Sequence, residues 1–294
     1  MRLQLPAKVN WTLEVLGKRG DGFHELLSWF VAVDLCDTLE ATPAAVGGLE
    51  ITGPRAEGLE QGAGNLVLAA ETTWRAAGGE APAIAWKLEK IVPVGGGLGG
   101  GSSNAAGALR LMEHHATVGV GEEGLAGLSS SLGSDVPFFL LGEGAELRGG
   151  RGEILLARAP APQAWLVLAC PKIQVETAEV YQALDAPALA PGQGGGGDPA
   201  PGESTPPPIP GANDLEAAAL GRHPSLADLA EALGVLTVSR KGPQFGLSGS
   251  GGCFFAACSD SAEAHELAHA ASPLGADILV ARTRSGAVLP PIRP

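Results

Sequence analysis

The stretch Pro93-Val94-Gly95-Gly96-Gly97-Leu98-Gly99-Gly100-Gly101-Ser102-Ser103-Asn104 is half glycine and runs straight into Ala105-Ala106-Gly107-Ala108-Leu109-Arg110-Leu111-Met112. The second string can form a helix. Glycine admits positive φ and lets amide N–H groups approach a ligand with no Cβ in the way. Ser102, Ser103 or Asn104 is expected to cap the helix, whose first amides have no partner inside it. An amide-lined loop ahead of a helix N-terminus suits a polyphosphate. The stretch therefore predicts nucleotide binding. The alternative is a glycine-rich linker, but linkers seldom run into a capped helix.

Two familiar phosphate loops do not fit. A P-loop needs Lys immediately before Ser or Thr after its last Gly; here Gly101 precedes Ser102, and no Lys lies between Lys90 and Lys172. Gly95-x-Gly97-x-x-Gly100 matches the dinucleotide fingerprint, with Glu122 or Glu123 at a tolerable distance. Those glutamates sit in Val118-Gly119-Val120-Gly121-Glu122-Glu123-Gly124, which reads as a turn and not as the end of a second strand. In so glycine-rich a run the match is nearly automatic.

The chain has 294 residues, 45% of them hydrophobic, and a formal charge of −13. That length allows one large or two moderate domains with ample core. The negative charge argues against nucleic acid and membrane surfaces as partners, since both need a basic footprint. A polyphosphate would then be neutralised by local amides, a few cations and Mg²⁺. Met1 to Lys8 has no apolar signal-peptide core, and no apolar run is long enough to span a bilayer. Cys36, Cys170, Cys253 and Cys258 are scattered, with no C-x-x-C. They read as buried reduced thiols of a cytoplasmic protein.

Residues 3–15 alternate, with Leu3, Leu5, Ala7, Val9, Trp11, Leu13 and Val15 against Gln4, Pro6, Lys8, Asn10, Thr12 and Glu14. This predicts a strand with one buried face, and it puts Lys8 and Asn10 side by side on the other. Gly17 to His24 is a turn-rich connection into an apolar strand, Leu26 to Leu35. Phe23 offers a stacking face and His24 polar ring atoms; a hairpin turn with a core Phe is the plainer alternative. Asn65 is expected to cap a helix over 66–77, stopped by Gly78-Gly79. Trp86 to Val92 reads as the strand feeding the glycine loop, with Lys90 a candidate nucleotide contact. Ser134 or Asp135 is expected to cap a helix with Pro137 in its first turn. Gly142 to Glu153 reads as a hairpin whose Arg148 and Arg151 could meet phosphate.

Ala164 to Cys170 reads as a strand opening a second domain, followed by a helix on which Thr177 and Tyr181 share a face. From Pro187 to Gly211, fifteen of twenty-five residues are Pro or Gly, which predicts a mobile insertion inside that domain. Asn213 to Glu216 restarts order with a capped helix. Phe245 to Ala256 holds a second glycine-rich site around Gly249-Ser250-Gly251 that misses the G-x-S-x-G elbow. A tight turn between strands would explain it equally. His265-Glu266-Leu267-Ala268-His269 spells a zinc-protease motif on a helix. A catalytic zinc needs a third protein ligand, however, and after His269 the chain has no further His or Glu. A polar helix face is expected there, and no metal ligand is assigned.

The loop from Pro93 to Asn104 resembles the ATP loop of the superfamily that holds galactokinase, homoserine kinase and mevalonate kinase. Within it the chain is most similar to the 4-diphosphocytidyl-2-C-methyl-D-erythritol kinases, over roughly residues 5–285. The resemblance implies an α+β fold in two domains, about 1–160 and 161–294, the first ribosomal-protein-like with a left-handed crossover and the second ferredoxin-like. It implies ATP and Mg²⁺ as cofactors, with Pro93 to Ser103 around the nucleotide. Pro6-Ala7-Lys8-x-Asn10 resembles the first motif, which makes Lys8 the catalytic lysine and Asn10 a substrate ligand. Gly133-Ser134-Asp135-Val136-Pro137-x-Phe139 resembles the signature around the catalytic aspartate, Asp135. Asp21-Gly22-Phe23-His24 resembles the segment that grips cytosine, with Phe in place of the common Tyr. Thr177 and Tyr181 resemble a substrate-contacting Thr and an aromatic that closes over the base, so that Phe23 and Tyr181 would sandwich it. Asn65 resembles a residue near the adenine pocket, although Gly64 stands where Glu usually precedes it. The loop of Gly249, Ser250 and Gly251 resembles the third motif, which backs the phosphate and substrate site. The implied reaction is ATP-dependent phosphorylation of a cytidine-diphosphate-linked alcohol. A different alcohol kinase of the superfamily, or a nucleotide-binding protein without catalysis, remains the alternative, and the oligomeric state is left open.

Overall fold

The computed structural model describes residues 1–184, 186–189 and 210–289. Most of the expected Pro/Gly-rich insertion at 187–211 lies outside the described residues. The chain opens with two long strands, β1 (Arg2–Lys18) and β2 (His24–Ala44), paired antiparallel. β3 (Gly48–Thr52), helix α1 (Leu66–Ala76) and β4 (Ala83–Glu89) follow, with β3 parallel to β4. Then come the helices α2 (Gly100–His114), α3 (Gly121–Leu132) and α4 (Val136–Leu141), and the hairpin β5 (Ala145–Gly149) with β6 (Ile154–Ala159). Among the described residues these strands form a six-stranded sheet in the order β3-β4-β2-β5-β6, with β1 on β2.

The rest of the chain is β7 (Trp165–Cys170), α5 (Thr177–Ala183), α6 (Glu216–Arg222), α7 (Pro224–Arg240), β8 (Gly246–Leu247), β9 (Phe254–Cys258), α8 (Ser261–Ala271) and β10 (Asp277–Arg282). Its sheet has the order β10-β7-β9-β8. Read along the chain this is β-α-β-β-α-β with extra helices in the first crossover, the ferredoxin-like arrangement. The fold is α+β, built on two sheets.

The alternation in β1 produces more than one buried face. Leu3 and Leu5 enter a core with α1, α2 and α4, whereas Ala7, Val9 and Trp11 enter a second core against Leu166, Leu168 and Phe255 of the other sheet. The pairing with β2 shifts register between Pro6 and Ala7, and such irregularities re-aim side chains. Where Ala7, Val9 and Trp11 turn between the sheets, Lys8 and Asn10 face the opposite way and are covered. Both are only 4% exposed, so the polar face of β1 is not a solvated one.

Two expected caps are corrected. Helix α2 starts at Gly100 behind Gly99 at φ 69°, so Ser102, Ser103 and Asn104 lie inside it and none caps it. The left-handed Gly99 starts the helix earlier than the polar residues suggest. Asp135 does stand at the N-cap of α4, with Pro137 in the first turn, but its side chain makes no capping bond. The expected cap at Asn65 is present, its side-chain Oδ1 accepting from the Val67 amide at 3.0 Å.

Candidate active site

The glycine loop takes its shape from alternate left-handed residues, with φ 69°, 73° and 69° at Gly95, Gly97 and Gly99. Residues with side chains seldom adopt that conformation. Pro93, Gly96 and Leu98 are buried beneath the loop, while Val94, Gly95 and Gly101 reach the surface and Ser102 is half-buried. The second glycine-rich segment, between β8 and β9, lies directly behind. The Cys253 amide donates to the Gly96 carbonyl at 3.1 Å, and Ser248 Oγ donates to the Gly97 carbonyl at 3.2 Å. Asn213 joins in from before α6, its Nδ2 donating to the carbonyls of Leu247 and Gly249. A Cβ on Gly251 would press on Val175 in this backing, and one on Gly249 would press on Asn10 and Gly97.

Beneath the start of α2 lies a buried polar cluster that the sequence reading missed in part. The Asp37 carboxylate accepts from the Ile91 amide at 2.7 Å, the Val92 amide at 2.8 Å and Asn104 Nδ2 at 2.9 Å, and it pairs with Lys90 Nζ. Burial lowers the Lys90 pKa and Asp37 opposes that shift. Lys90 therefore props up the loop from below with its ammonium on Asp37, instead of lining the cavity. Asn65 sits at the start of α1, whose Leu66 packs near Gly101.

A cavity of about 580 Å³ opens beside the loop. Gly97 and Gly99 form one wall, Lys8, Asn10, Phe30 and Asp135 line it further along, and Phe23, His24, Thr177, Tyr181, Gly249 and Ser250 complete it. Residues more than two hundred positions apart in the sequence meet here. Lys8 Nζ stands 3.4 Å from Asp135 Oδ2, donates to Asn10 Oδ1 at 2.5 Å and lies 4.7 Å from the centre of the Phe30 ring. Asn10 Nδ2 in turn donates to Ser28 Oγ at 2.8 Å. The Lys8 amide donates to the Leu98 carbonyl at 3.0 Å, which ties β1 to the glycine loop. The ammonium is buried and the carboxylate half-buried, so Asp135 presents its free edge to the cavity.

At the other end Thr177 Oγ1 lies 2.7 Å from Ser250 Oγ, which joins α5 to the second glycine loop. Tyr181 stacks on His24, with ring centroids 5.1 Å apart. The expected Phe23–Tyr181 sandwich has a base between its rings, and both rings line the cavity. Phe23, 51% exposed, lies against the Arg151 guanidinium at 4.6 Å. Burial lowers the His24 pKa and the neighbouring Lys18 adds to it; burial raises the Tyr181 pKa and Asp135 adds to it. Both rings are thus neutral near pH 7, as suits stacking on an uncharged base. Of the two hairpin arginines, Arg148 is buried and committed to Glu146, and Arg151 alone lines the cavity. Lys18, Ser134 and Gln182 also line it and were missed. Lys18 pairs across strands with His24, and Gln182 follows Tyr181 on α5, so their neighbours were the available signal.

The zinc-like motif lies on α8, where His265 Nδ1 lies 2.7 Å from the Ser261 carbonyl, one helical turn back. None of its residues lines this cavity.

A family described as "GHMP kinases N terminal domain" matches residues 65–143. A 4-diphosphocytidyl-2-C-methyl-D-erythritol kinase of Citrifermentans bemidjiense is 36% identical over 291 residues, covering 94% of this chain and 96% of the relative. One from Pelotomaculum thermopropionicum is 46% identical over 178 residues, where the chain spans 61% of the relative's length. Among solved structures, a 4-(cytidine 5'-diphospho)-2C-methyl-D-erythritol kinase superposes with a TM-score of 0.74 at 32% identity, covering 97% of this chain and all of that one. A homoserine kinase from Cytophaga hutchinsonii, 17% identical with a TM-score of 0.62 and coverage of 98% and 95%, shares the fold. With similarity running the full length, and not only through the glycine loop, the chain belongs to the 4-diphosphocytidyl-2-C-methyl-D-erythritol kinase family and is an ATP-dependent phosphotransferase.

Proposed function

We propose that the protein transfers the γ-phosphate of ATP to the 2-hydroxyl of 4-diphosphocytidyl-2-C-methyl-D-erythritol, a step of non-mevalonate isoprenoid precursor synthesis. The observation that carries this is the Lys8–Asp135 pair at 3.4 Å, inside one cavity with the glycine loop and the His24–Tyr181 stack. The loop amides take the triphosphate and the stack takes the cytosine, which leaves the acceptor alcohol facing the carboxylate. Asp135 accepts the hydroxyl proton as the oxygen attacks the γ-phosphorus and ADP leaves. Lys8, fixed by Asn10 and Phe30, holds the carboxylate in place and offsets the charge on the transferring group. Phosphoryl transfer has a loose transition state, so positioning and charge neutralisation carry most of the rate.

The donors on the nucleotide side are chiefly amides, which suit phosphate and not a cation. Mg²⁺ would then be held mainly by the phosphates, which is its usual habit, and would supply charge neutralisation there. No described helix is long and apolar enough to cross a membrane, and we place the enzyme in the cytoplasm with its substrates. The two functional halves divide near residue 160, between β6 and β7. ADP release with Mg-ATP against a panel of alcohols tests the proposal. Turnover of the cytidine-diphosphate acceptor is expected, and turnover of mevalonate or homoserine instead would refute it.

A further inference from the structure

Two loops distant in sequence each place one side chain at the cavity mouth: Phe23 from the β1–β2 turn, and Arg151 from the β5–β6 hairpin. The Arg151 guanidinium lies over the Phe23 ring at 4.6 Å, a contact that would be loose if it rested on itself, because Phe23 is half exposed and cation–π pairs at such sites are weak. Behind it, Glu25 is 2% exposed and spans both loops. One carboxylate oxygen accepts from Arg19 Nη1 at 2.9 Å, and the other accepts from the Gly150 amide at 3.0 Å. Arg19 closes the Phe23 turn, its amide donating to the Phe23 carbonyl at 2.7 Å. The Leu26 amide completes the join by donating to the Gly150 carbonyl at 2.7 Å.

We propose that Glu25 is a positioning residue whose carboxylate, bridging Arg19 and Gly150, assembles the Phe23–Arg151 pair as the rest for the nucleotide end of the acceptor. This rests on the acceptor reading given above. Glu25 touches neither substrate; it acts by fixing two loops before the acceptor arrives, which spares the ordering cost at binding. An ordered pair places a flat aromatic and a guanidinium together, the chemistry that a base joined to a diphosphate requires.

Steady-state kinetics of the wild type, Glu25→Gln, Arg19→Gln and Arg151→Ala, plus the Glu25→Gln/Arg151→Ala double variant, tests it with Mg-ATP and the cytidine-diphosphate acceptor. Glu25→Gln is expected to raise the acceptor KM about tenfold, the scale of one lost charged hydrogen bond, and to leave kcat and the ATP KM within about twofold. Arg19→Gln acts in the same direction. It loosens the strut from its more exposed end, so it carries the test should Glu25→Gln fail to fold. The double variant should raise the acceptor KM by less than the product of the two single effects, because residues acting through one unit are not additive. An unchanged acceptor KM in folded variants overturns the inference, as does an additive double variant or an ATP KM that rises in step. A wild type inert toward this acceptor would overturn the acceptor reading itself, which separates the two failures.

Discussion

Gly97 gives the sharpest test of the glycine-loop geometry. Its φ is 73°, and an added Cβ would overlap the Ser248 carbonyl while standing 3.3 Å from the Gly251 carbonyl oxygen. Those carbonyls cannot easily retreat. Ser248 is fully buried, its amide donates to the Cys253 carbonyl at 2.9 Å, and its hydroxyl returns to Gly97. Gly97→Ala thus meets a left-handed penalty of about 1–2 kcal/mol and an overpacking cost of about 1–3 kcal/mol. Their sum is about 3 kcal/mol, which lowers Tm by roughly 5 °C for a chain of this size. The displaced amides should also weaken ATP binding about tenfold or more, since each charged hydrogen bond is worth about 1.5–3 kcal/mol. Neighbouring glycines calibrate the result. At Gly95, φ is 69° but the Cβ meets only the Gln174 side chain, at 3.2 Å, so Gly95→Ala incurs the backbone term alone. At Gly101, in the first turn of α2, the Cβ meets only Leu66 at 3.3 Å, so Gly101→Ala should be near neutral. Thermal denaturation and isothermal titration with ATP measure both effects. A Gly97→Ala protein as stable and as tight for ATP as Gly101→Ala would refute the reasoning.

Asp135→Asn removes the proton acceptor and should lower kcat about a hundredfold or more, with ATP affinity kept; near-normal turnover in stopped assays would remove Asp135 from the chemistry. Asp37→Asn leaves the Lys90 ammonium buried without its counter-charge, and breaking such a pair costs about 3–5 kcal/mol, readable as a shift in the urea midpoint. His24 and His115 both have pKa values lowered by burial. The unfolded chain therefore binds protons first: their contribution to stability is complete above the ordinary His value of about 6.5 and fades as pH falls below it toward the folded values. Urea titrations between pH 7.5 and 5.5 should show that loss, with a shallower slope in His24→Gln; an unchanged slope would contradict it. Tyr181→Phe should keep acceptor affinity and Tyr181→Ala should lose it, if the ring and not the hydroxyl does the stacking.

Local signals were legible wherever backbone chemistry dictates structure. The period-two pattern of residues 3–15 specifies a strand, Asn65 specifies a cap, and the glycines of 95–99 specify a loop whose left-handed turns side chains resist. The motifs at Lys8, Asp135 and Gly249 to Gly251 were legible as separate strings. Their convergence on one cavity was not, because no local rule says which faces of β1, α4 and α5 point at each other. The tertiary structure decided that. A register shift after Pro6 turns Ala7, Val9 and Trp11 between the sheets and so aims Lys8 and Asn10 at the cavity. It also decided which charges are available. Arg148 reads in sequence as a phosphate contact and Lys90 as a nucleotide contact, yet buried Glu146 and Asp37 claim them, while Lys8, Lys18 and Arg151 line the cavity. Sequence determines which groups the chain carries and how each segment bends, but burial, which decides whether a charge meets solvent, substrate or a partner, exists only once distant segments have packed.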